Sequence, residues 1–342
     1  MRVLFFGTPD FAARVLEALL PSPAGDVRSG HEVVALVSQP SRPQGRGLRV
    51  EDPAAVQVAR AAGIQVLQPA KLHAPETLAS FRALAPDLCV TAAFGRLLRP
   101  SILGIAPRGC WNVHASLLPR HRGASPVSAA ILAGDAWTGI TIFQLDTGLD
   151  TGPLLLQEMT PIGSEETAGE LTDRLARIGG RLLARACAIE ERGGLIAQAQ
   201  PAWGATYASL VDKEDGLLDW NRPVEQVDRA IRAFSPWPGA FTFAAGKRLR
   251  VHRSRPWHRL QVSGAEPTPL VPALDTAPGP LVPVPEASPG TLVPAPEGIG
   301  VVCNPGVLLL LEVQGEGRKR QEATEWLRGS RLPAGARLRA SA

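Results

Sequence analysis

Residues 1–20 read MRVLFFGTPDFAARVLEALL, and this opening decides the fold. Its first part, RVLFFG, is a short continuous apolar run ending in Gly7, the pattern of a strand covered on both faces. Thr8 and Pro9 follow with an N-cap hydroxyl and a first-turn proline, so DFAARVLEALL is predicted to be a helix. A second apolar run, HEVVALVS, comes after the turn-rich PSPAGDVRSG. Strand, helix and strand in this order form a βαβ unit, which demands a parallel sheet.

The alternation continues outward. VQVARAAG and PETLASFRALA carry helical spacing, while IQVLQ, DLCVTAAFG and GCWNVHAS read as strands. After the helix SPVSAAILAG, two further strands, GITIFQL and GPLLLQEMTPI, flank DTGLDT. A long helix opening near Thr167 carries Leu171, Leu175, Ile178, Leu182 and Ile189 on one face and closes at Gly193-Gly194. The expected fold class is α/β, with a doubly wound, mostly parallel, Rossmann-like sheet. Such sheets bind ligands at the carboxyl ends of their strands.

From about Tyr207 the elements shorten. A helix carries Val224, Val227, Ile231 and Phe234 on one face, SPWPGAFTFAAGKRLRVHRS alternates around a glycine turn, and GIGVVCN and GVLLLLEVQG resume as strands. We expect an N-terminal domain at 1–192, a linker at 193–208, and a smaller β-rich domain at 209–342, an OB-like β-barrel. Eight prolines between 267 and 289 mark a Pro-rich insertion near 265–290 that cannot bury much surface.

The 342 residues are 45% hydrophobic and 20% charged, which excludes a largely disordered or collagen-like chain. Four cysteines, Cys89, Cys110, Cys187 and Cys303, lie far apart with no C-x-x-C pair, against a disulfide framework, a structural zinc site or a redox motif. No stretch reaches the roughly 20 apolar residues of a membrane span. A soluble, cytoplasmic chain without a membrane partner is expected. No metal is expected, because the one well-placed histidine lacks a second ligand at suitable spacing. The net charge of +4 permits an anionic partner without requiring one.

One histidine of six, His114, falls at the end of a buried strand with a polar neighbour two positions away. Within WNVHASLLPRHRG, Asn112 and His114 share a face because strand side chains alternate. The turn DTGLDTGP brings Asp146 and Asp150 to the mouth between adjacent strands. An amide, an imidazole and a carboxylate converging there suit attack by an amine on a carbonyl carbon: the carboxylate orients the ring and favours its charged form, and the amide donates to a developing oxyanion. The same residues also fit a satisfied core histidine and a capping asparagine. FFGTPDFA lacks G-x-G-x-x-G, so a dinucleotide site is set aside.

NVHASLLPRHRGASPV followed by TGITIFQLDTGLDTGPLLLQ resembles the folate-dependent formyltransferases, in which an Asn-x-His and a downstream Asp surround the formyl group. The similarity spans almost the whole chain, and FFGTPDFA and IRAFSPWPGAFT resemble the tRNA-acting branch. The resemblance implies that 10-formyltetrahydrofolate donates its formyl group to the α-amino group of methionine on initiator tRNA. Asn112 and His114 would stabilise the oxyanion, and Asp150 would hold His114 charged and help relay the amine proton. It further implies a monomer. Alternatives are a formyltransferase for a sugar-nucleotide amine or a purine precursor, or a non-catalytic RNA-binding protein on the same fold.

The folate pocket implied by the resemblance comprises the backbone of Phe94, Gly95, Arg96, Leu97 and Leu98, the segment Ser116, Leu117, Leu118 and Pro119, and an opposite wall of Asp146, Thr147 and Gly148. The leucines are equally consistent with core packing. For RNA, the loop SQPSRPQGRGLRVEDP offers Arg42, Arg46 and Arg49, with prolines and glycines expected to keep it irregular. Arg46 matches the family's key arginine, whereas LR stands where many relatives have two lysines. Lys247 and Arg248, and the GRKRQ turn with Arg318, Lys319 and Arg320, add a basic surface to the second domain. That surface suits phosphate contacts or, equally, a solubilising strand edge.

Overall fold

The computed structural model describes residues 1–20, 31–44, 49–257, 287–295, 298–330, 332–333 and 335–339. The chain divides into two compact units, one of Met1–Ala130, Asp135–Gly163 and Gly169–Leu210, the other of Ile131–Gly134, Ser164–Ala168 and Val211–Ala342. The stretch expected as a linker, 193–208, belongs to the first unit. Gln198 bridges to Leu154, and Tyr207–Ala208 pairs in parallel with Arg122–Gly123.

Seven strands form the first unit's sheet: β1 (Arg2–Gly7), β2 (Glu32–Val37), β3 (Val66–Leu67), β4 (Leu88–Ala92), β5 (Cys110–His114), β6 (Trp137–Gln144) and β7 (Leu154–Pro161). Their order is β7-β6-β5-β4-β1-β2-β3. The run from β5 to β3 is parallel, whereas β6 is antiparallel to both of its neighbours. Central β1 and β4 are apolar on both faces, and Phe6 makes edge contacts with Phe81 and Phe94, ring centroids 5.7 Å and 5.5 Å away. Burial of this kind contributes roughly 1.5–3 kcal/mol per large apolar side chain.

Two local expectations change. The first helix, Asp10–Glu17, is capped at Pro9 without a side-chain bond. The Thr8 hydroxyl instead accepts from the backbone N–H of Gln39 at 3.3 Å, tying the β1 exit to the β2 exit. The arginine loop is partly regular, because Arg42–Gln44 pairs antiparallel with Arg49–Glu51 in a short hairpin. Arg46 lies outside the described residues, as does most of the Pro-rich stretch. Among the described residues, no helix is long and apolar enough to cross a membrane.

The second unit is an antiparallel barrel of OB-like form. Its strands are β8 (Phe241–Ala244), β9 (Lys247–Pro256), β10 (Leu292–Ala295), β11 (Gly298–Val302), β12 (Val307–Gly315) and β13 (Gln321–Glu322), in the order β8-β9-β12-β11-β10, with β13 beside β12. The β8–β9 hairpin turns at Ala245 and Gly246, both at positive φ (47° and 75°), the backbone that a two-residue turn between twisted strands needs. The helix Val224–Ala233 buries Val224, Val227 and Ile231, as its spacing predicts.

The sheet's two edges are joined by the tail. Arg339 exchanges backbone hydrogen bonds with Phe243 of β8 at 2.9 Å in both directions. The Leu338 N–H donates to Gly290 O, and the Leu292 N–H of β10 donates to Ala336 O, each at 2.8 Å. Leu338 is 2% exposed in the barrel core. Leu338→Ala should therefore destabilise the protein by about 2–5 kcal/mol, read as a lower urea midpoint of the barrel transition. Leu97→Ala, at a side chain 74% exposed, should leave that midpoint in place.

Candidate active site

The chemistry-bearing side chains stand where β5 ends. This strand runs parallel to β4 and antiparallel to β6, and period-two alternation sets Cys110, Asn112 and His114 on one face. Cys110 pairs in register with Cys89, and its thiol is raised well above the ordinary range, first by the hydrogen bond to Cys89 and then by burial. It is held as a thiol, which excludes it as a nucleophile. The Asn112 carboxamide is half-buried and makes no side-chain hydrogen bond among the described residues.

His114 is 5% exposed, with its ring edge-on to Phe143 at 6.2 Å. Its Nε2 lies 2.9 Å from the carbonyl oxygen of His121. A carbonyl can only accept, so Nε2 carries the proton. Nδ1 then faces Asp150, whose Oδ2 is 3.7 Å away. Burial pushes the His114 pKa below its ordinary value, while the Asp150 carboxylate and the His121 carbonyl act the other way. Burial dominates. The net direction is downward, which favours the neutral ring at rest and weighs against the expectation that Asp150 holds it charged.

Asp150 is positioned by its backbone. It sits at φ 52°, unusual outside glycine, and its Oδ2 accepts the Gly123 N–H at 2.7 Å. Gln200 Nε2 donates to the carbonyls of Asp150 and Gly152, both at 2.8 Å. Gln200 Oε1 in turn accepts from Arg122 Nε at 3.1 Å and Nη2 at 2.6 Å. Gly123 has φ 114°, and a Cβ there would lie 2.5 Å from Ala208 O, so the close approach admits only glycine. Sequence reading missed Arg122 and Gln200. They are 78 positions apart, and only the Arg in RHRG was visible as a motif element.

Asp146 holds the turn together. Its carboxylate accepts the Thr151 hydroxyl at 2.8 and 2.9 Å and the Gly148 N–H at 3.0 Å, leaving Thr147 and Gly148 exposed. The segment after β5 is also pinned. Thr141 Oγ1 donates to Ser116 O at 2.7 Å and accepts the Leu118 N–H at 3.1 Å, while Gln157 Nε2 donates to Leu118 O at 3.0 Å. Ser116 and Leu118 are buried, and Leu117 and Pro119 are half-buried.

The loop after β4 offers a mixed surface. Phe94 is buried and its carbonyl accepts from Gln39 Nε2 at 2.8 Å. Arg96 turns its guanidinium back onto the carbonyls of Pro69 and Ala70, at 3.2 and 3.3 Å. Gly95 and Leu97 are exposed, whereas Leu98 is 7% exposed and belongs to the core. Of the basic residues, Arg42 and Arg49 lie on the short hairpin described above. Arg248 stacks over Phe241 at 3.7 Å, Arg320 is ion-paired with Glu312, and Lys247, Arg318 and Lys319 are exposed.

Residues 1–187 match the family described as formyl transferase, and residues 210–331 match the formyl transferase C-terminal domain. The chain is 44% identical over 338 residues to a methionyl-tRNA formyltransferase of Xanthomonas campestris, covering 98% of this chain and 99% of that one. It is 42% identical over 334 residues to a methionyl-tRNA formyltransferase of Anaeromyxobacter dehalogenans, covering 97% of each. Among solved structures, an N-formyltransferase from Helicobacter canadensis, in complex with folinic acid and dTDP-3-aminofucose, shares the fold with a TM-score of 0.61 at 15% identity, over 92% of this chain and 98% of that one. The chain belongs to the formyl transferase family, on its methionyl-tRNA formyltransferase branch.

Proposed function

We propose that this protein transfers a formyl group from 10-formyltetrahydrofolate to the α-amino group of methionyl initiator tRNA. The observation that carries the reading is a buried imidazole whose Nδ1 faces a carboxylate 3.7 Å away, two residues along the same strand face from an unpartnered carboxamide. The folate cosubstrate supplies a formyl carbon made electrophilic when its oxygen is polarised. Asn112 fits that polarisation, since its free N–H groups can donate to the oxygen as negative charge develops.

His114 supplies the base. With Nε2–H committed to His121, only Nδ1 is left to take the proton of the attacking amine; as the new C–N bond forms, the bond from the formyl carbon to N10 of the folate breaks, and N10 takes up that proton to leave as tetrahydrofolate. Its role as an oxyanion donor, expected from the resemblance, is not supported by that tautomer. Once protonated, the imidazolium lies beside the Asp150 carboxylate, which favours the charged form it did not enforce beforehand. The exposed Gly95 and Leu97 backbone and the Thr147-Gly148 turn suit a pterin ring bound largely by main chain. Arg42, Arg46 and Arg49, with Lys247, Arg248, Arg318, Lys319 and Arg320, suit the phosphates of the tRNA.

His114→Ala and Asp150→Asn should fold as the parent does and lose about 10²- to 10⁴-fold in kcat at saturating donor, the usual share of general acid–base help. Near-parental turnover by either variant would remove the catalytic assignment. The acceptor is tested by offering 10-formyltetrahydrofolate with charged initiator tRNA, a sugar-nucleotide amine or glycinamide ribonucleotide, and only the tRNA should be formylated.

The pH dependence follows from burial of His114. Its lowered pKa keeps Nδ1 unprotonated at neutral pH, so kcat should hold constant downward from pH 7 and fall only below the ordinary histidine value of about 6.5. Arg46→Ala should raise KM for charged tRNA and leave donor binding unchanged. Affinity for tRNA should drop by roughly 0.7–0.9 log units per phosphate contact per decade of salt, and a flat response would contradict the basic surface.

A further inference from the structure

A second buried histidine–carboxylate pair lies one hydrogen bond from the first. His121 is 6% exposed, and its Nε2 is 2.7 Å from Asp135 Oδ2. The other carboxylate oxygen of Asp135 accepts from Arg120 Nη2 at 2.5 Å. Burial alone would push the Asp135 carboxyl up, but the hydrogen bonds from Arg120 and His121 outweigh it and hold the group below the usual carboxylate range. The carboxylate form of Asp135 is thereby favoured.

The backbone of His121 is what this clamp holds. Its φ is 56°, in the left-handed region that a side chain with a Cβ rarely enters, so the conformation needs support from outside. Three bonds give that support: the ring to Asp135, the His121 N–H to Thr206 Oγ1 at 2.8 Å, and Ser116 Oγ to the preceding carbonyl of Arg120 at 2.6 Å. The carbonyl that emerges from this residue is the one that accepts His114 Nε2–H. A histidine serving only the core would end its bonds in the core. This chain of bonds ends on the imidazole proposed as the base.

We propose that His121 is a positioning residue for the reaction: clamped by Asp135, it aims its carbonyl so that the proton of His114 is kept on Nε2 and Nδ1 is presented to the amine. The proposal rests on the reading of His114 as the base. Without the clamp, His114 can place its proton on Nδ1, where it meets Asp150 and closes the nitrogen that should accept.

The test uses the full-length protein with ¹⁵N-labelled histidine and the variants His121→Ala, His121→Gln and Asp135→Asn. In the parent, the His114 resonances should report the Nε2–H tautomer alone. In His121→Ala and Asp135→Asn they should report a mixture, with kcat reduced about 10- to 100-fold, the scale of a misplaced catalytic group, and KM for charged tRNA nearly unchanged. His121→Gln, which keeps a donor for Asp135, should recover most of the lost kcat. Asp135→Asn is nearly isosteric and guards against a folding defect in His121→Ala. An unchanged tautomer in both variants, or a fall in melting temperature with parental kcat, would overturn the proposal. Should His114→Ala stay active, the catalytic reading fails by itself, and the tautomer shift still reports whether the clamp exists.

Discussion

The site depends on one constraint: an imidazole taken out of water and bonded on one side to a carbonyl has a single nitrogen left for chemistry. Burial makes the charged form of His114 costly, and the His121 carbonyl decides which nitrogen keeps the proton. A partner carboxylate at 3.7 Å does not reverse this, because the separation is longer than a hydrogen bond. Its effect grows once a proton arrives at Nδ1. A base that is neutral at rest and stabilised after it has acted is suited to amine attack on a formyl carbon.

Much of the first unit exists to fix two segments beside that ring. The turn carrying Asp150 has a residue at positive φ, and the Arg122–Gln200 bridge holds its carbonyls from behind. The segment after β5 is hung from Thr141 and Gln157 on the two antiparallel strands. The parallel strands therefore deliver the reacting face, and the antiparallel pair at the sheet's edge anchors the loops around it. The price is local backbone strain at His121 and Asp150, as is common where geometry is dictated by chemistry.

What sequence could reveal followed from range. Apolar runs, Gly7-Thr8-Pro9 and the spacing of Val224, Val227 and Ile231 speak through neighbours, and those elements formed where expected. Asn112 and His114 were legible as a pair because a strand alternates, and Asp150 because its turn is rich in glycine. Arg122, Asp135 and Gln200 were not, since each acts through a partner fixed only by the folded sheet. The protonation state was also out of reach. A buried strand and a nearby carboxylate can both be read from the motifs, but which of their opposed effects on the ring is larger cannot. The barrel's closure was hidden for the same reason, since Gly290 and Leu338 meet only when both sheet edges are in place.

The most direct measurement is an NMR pH titration of the His114 ring in the free, full-length protein, assigned by loss of its signals in His114→Ala. The account requires the ring to be uncharged at pH 7, with its midpoint below the value of about 6.5 of an exposed histidine. A ring still protonated at pH 7 or above would show that Asp150 prevails over burial, and the role of His114 as the proton acceptor would fall.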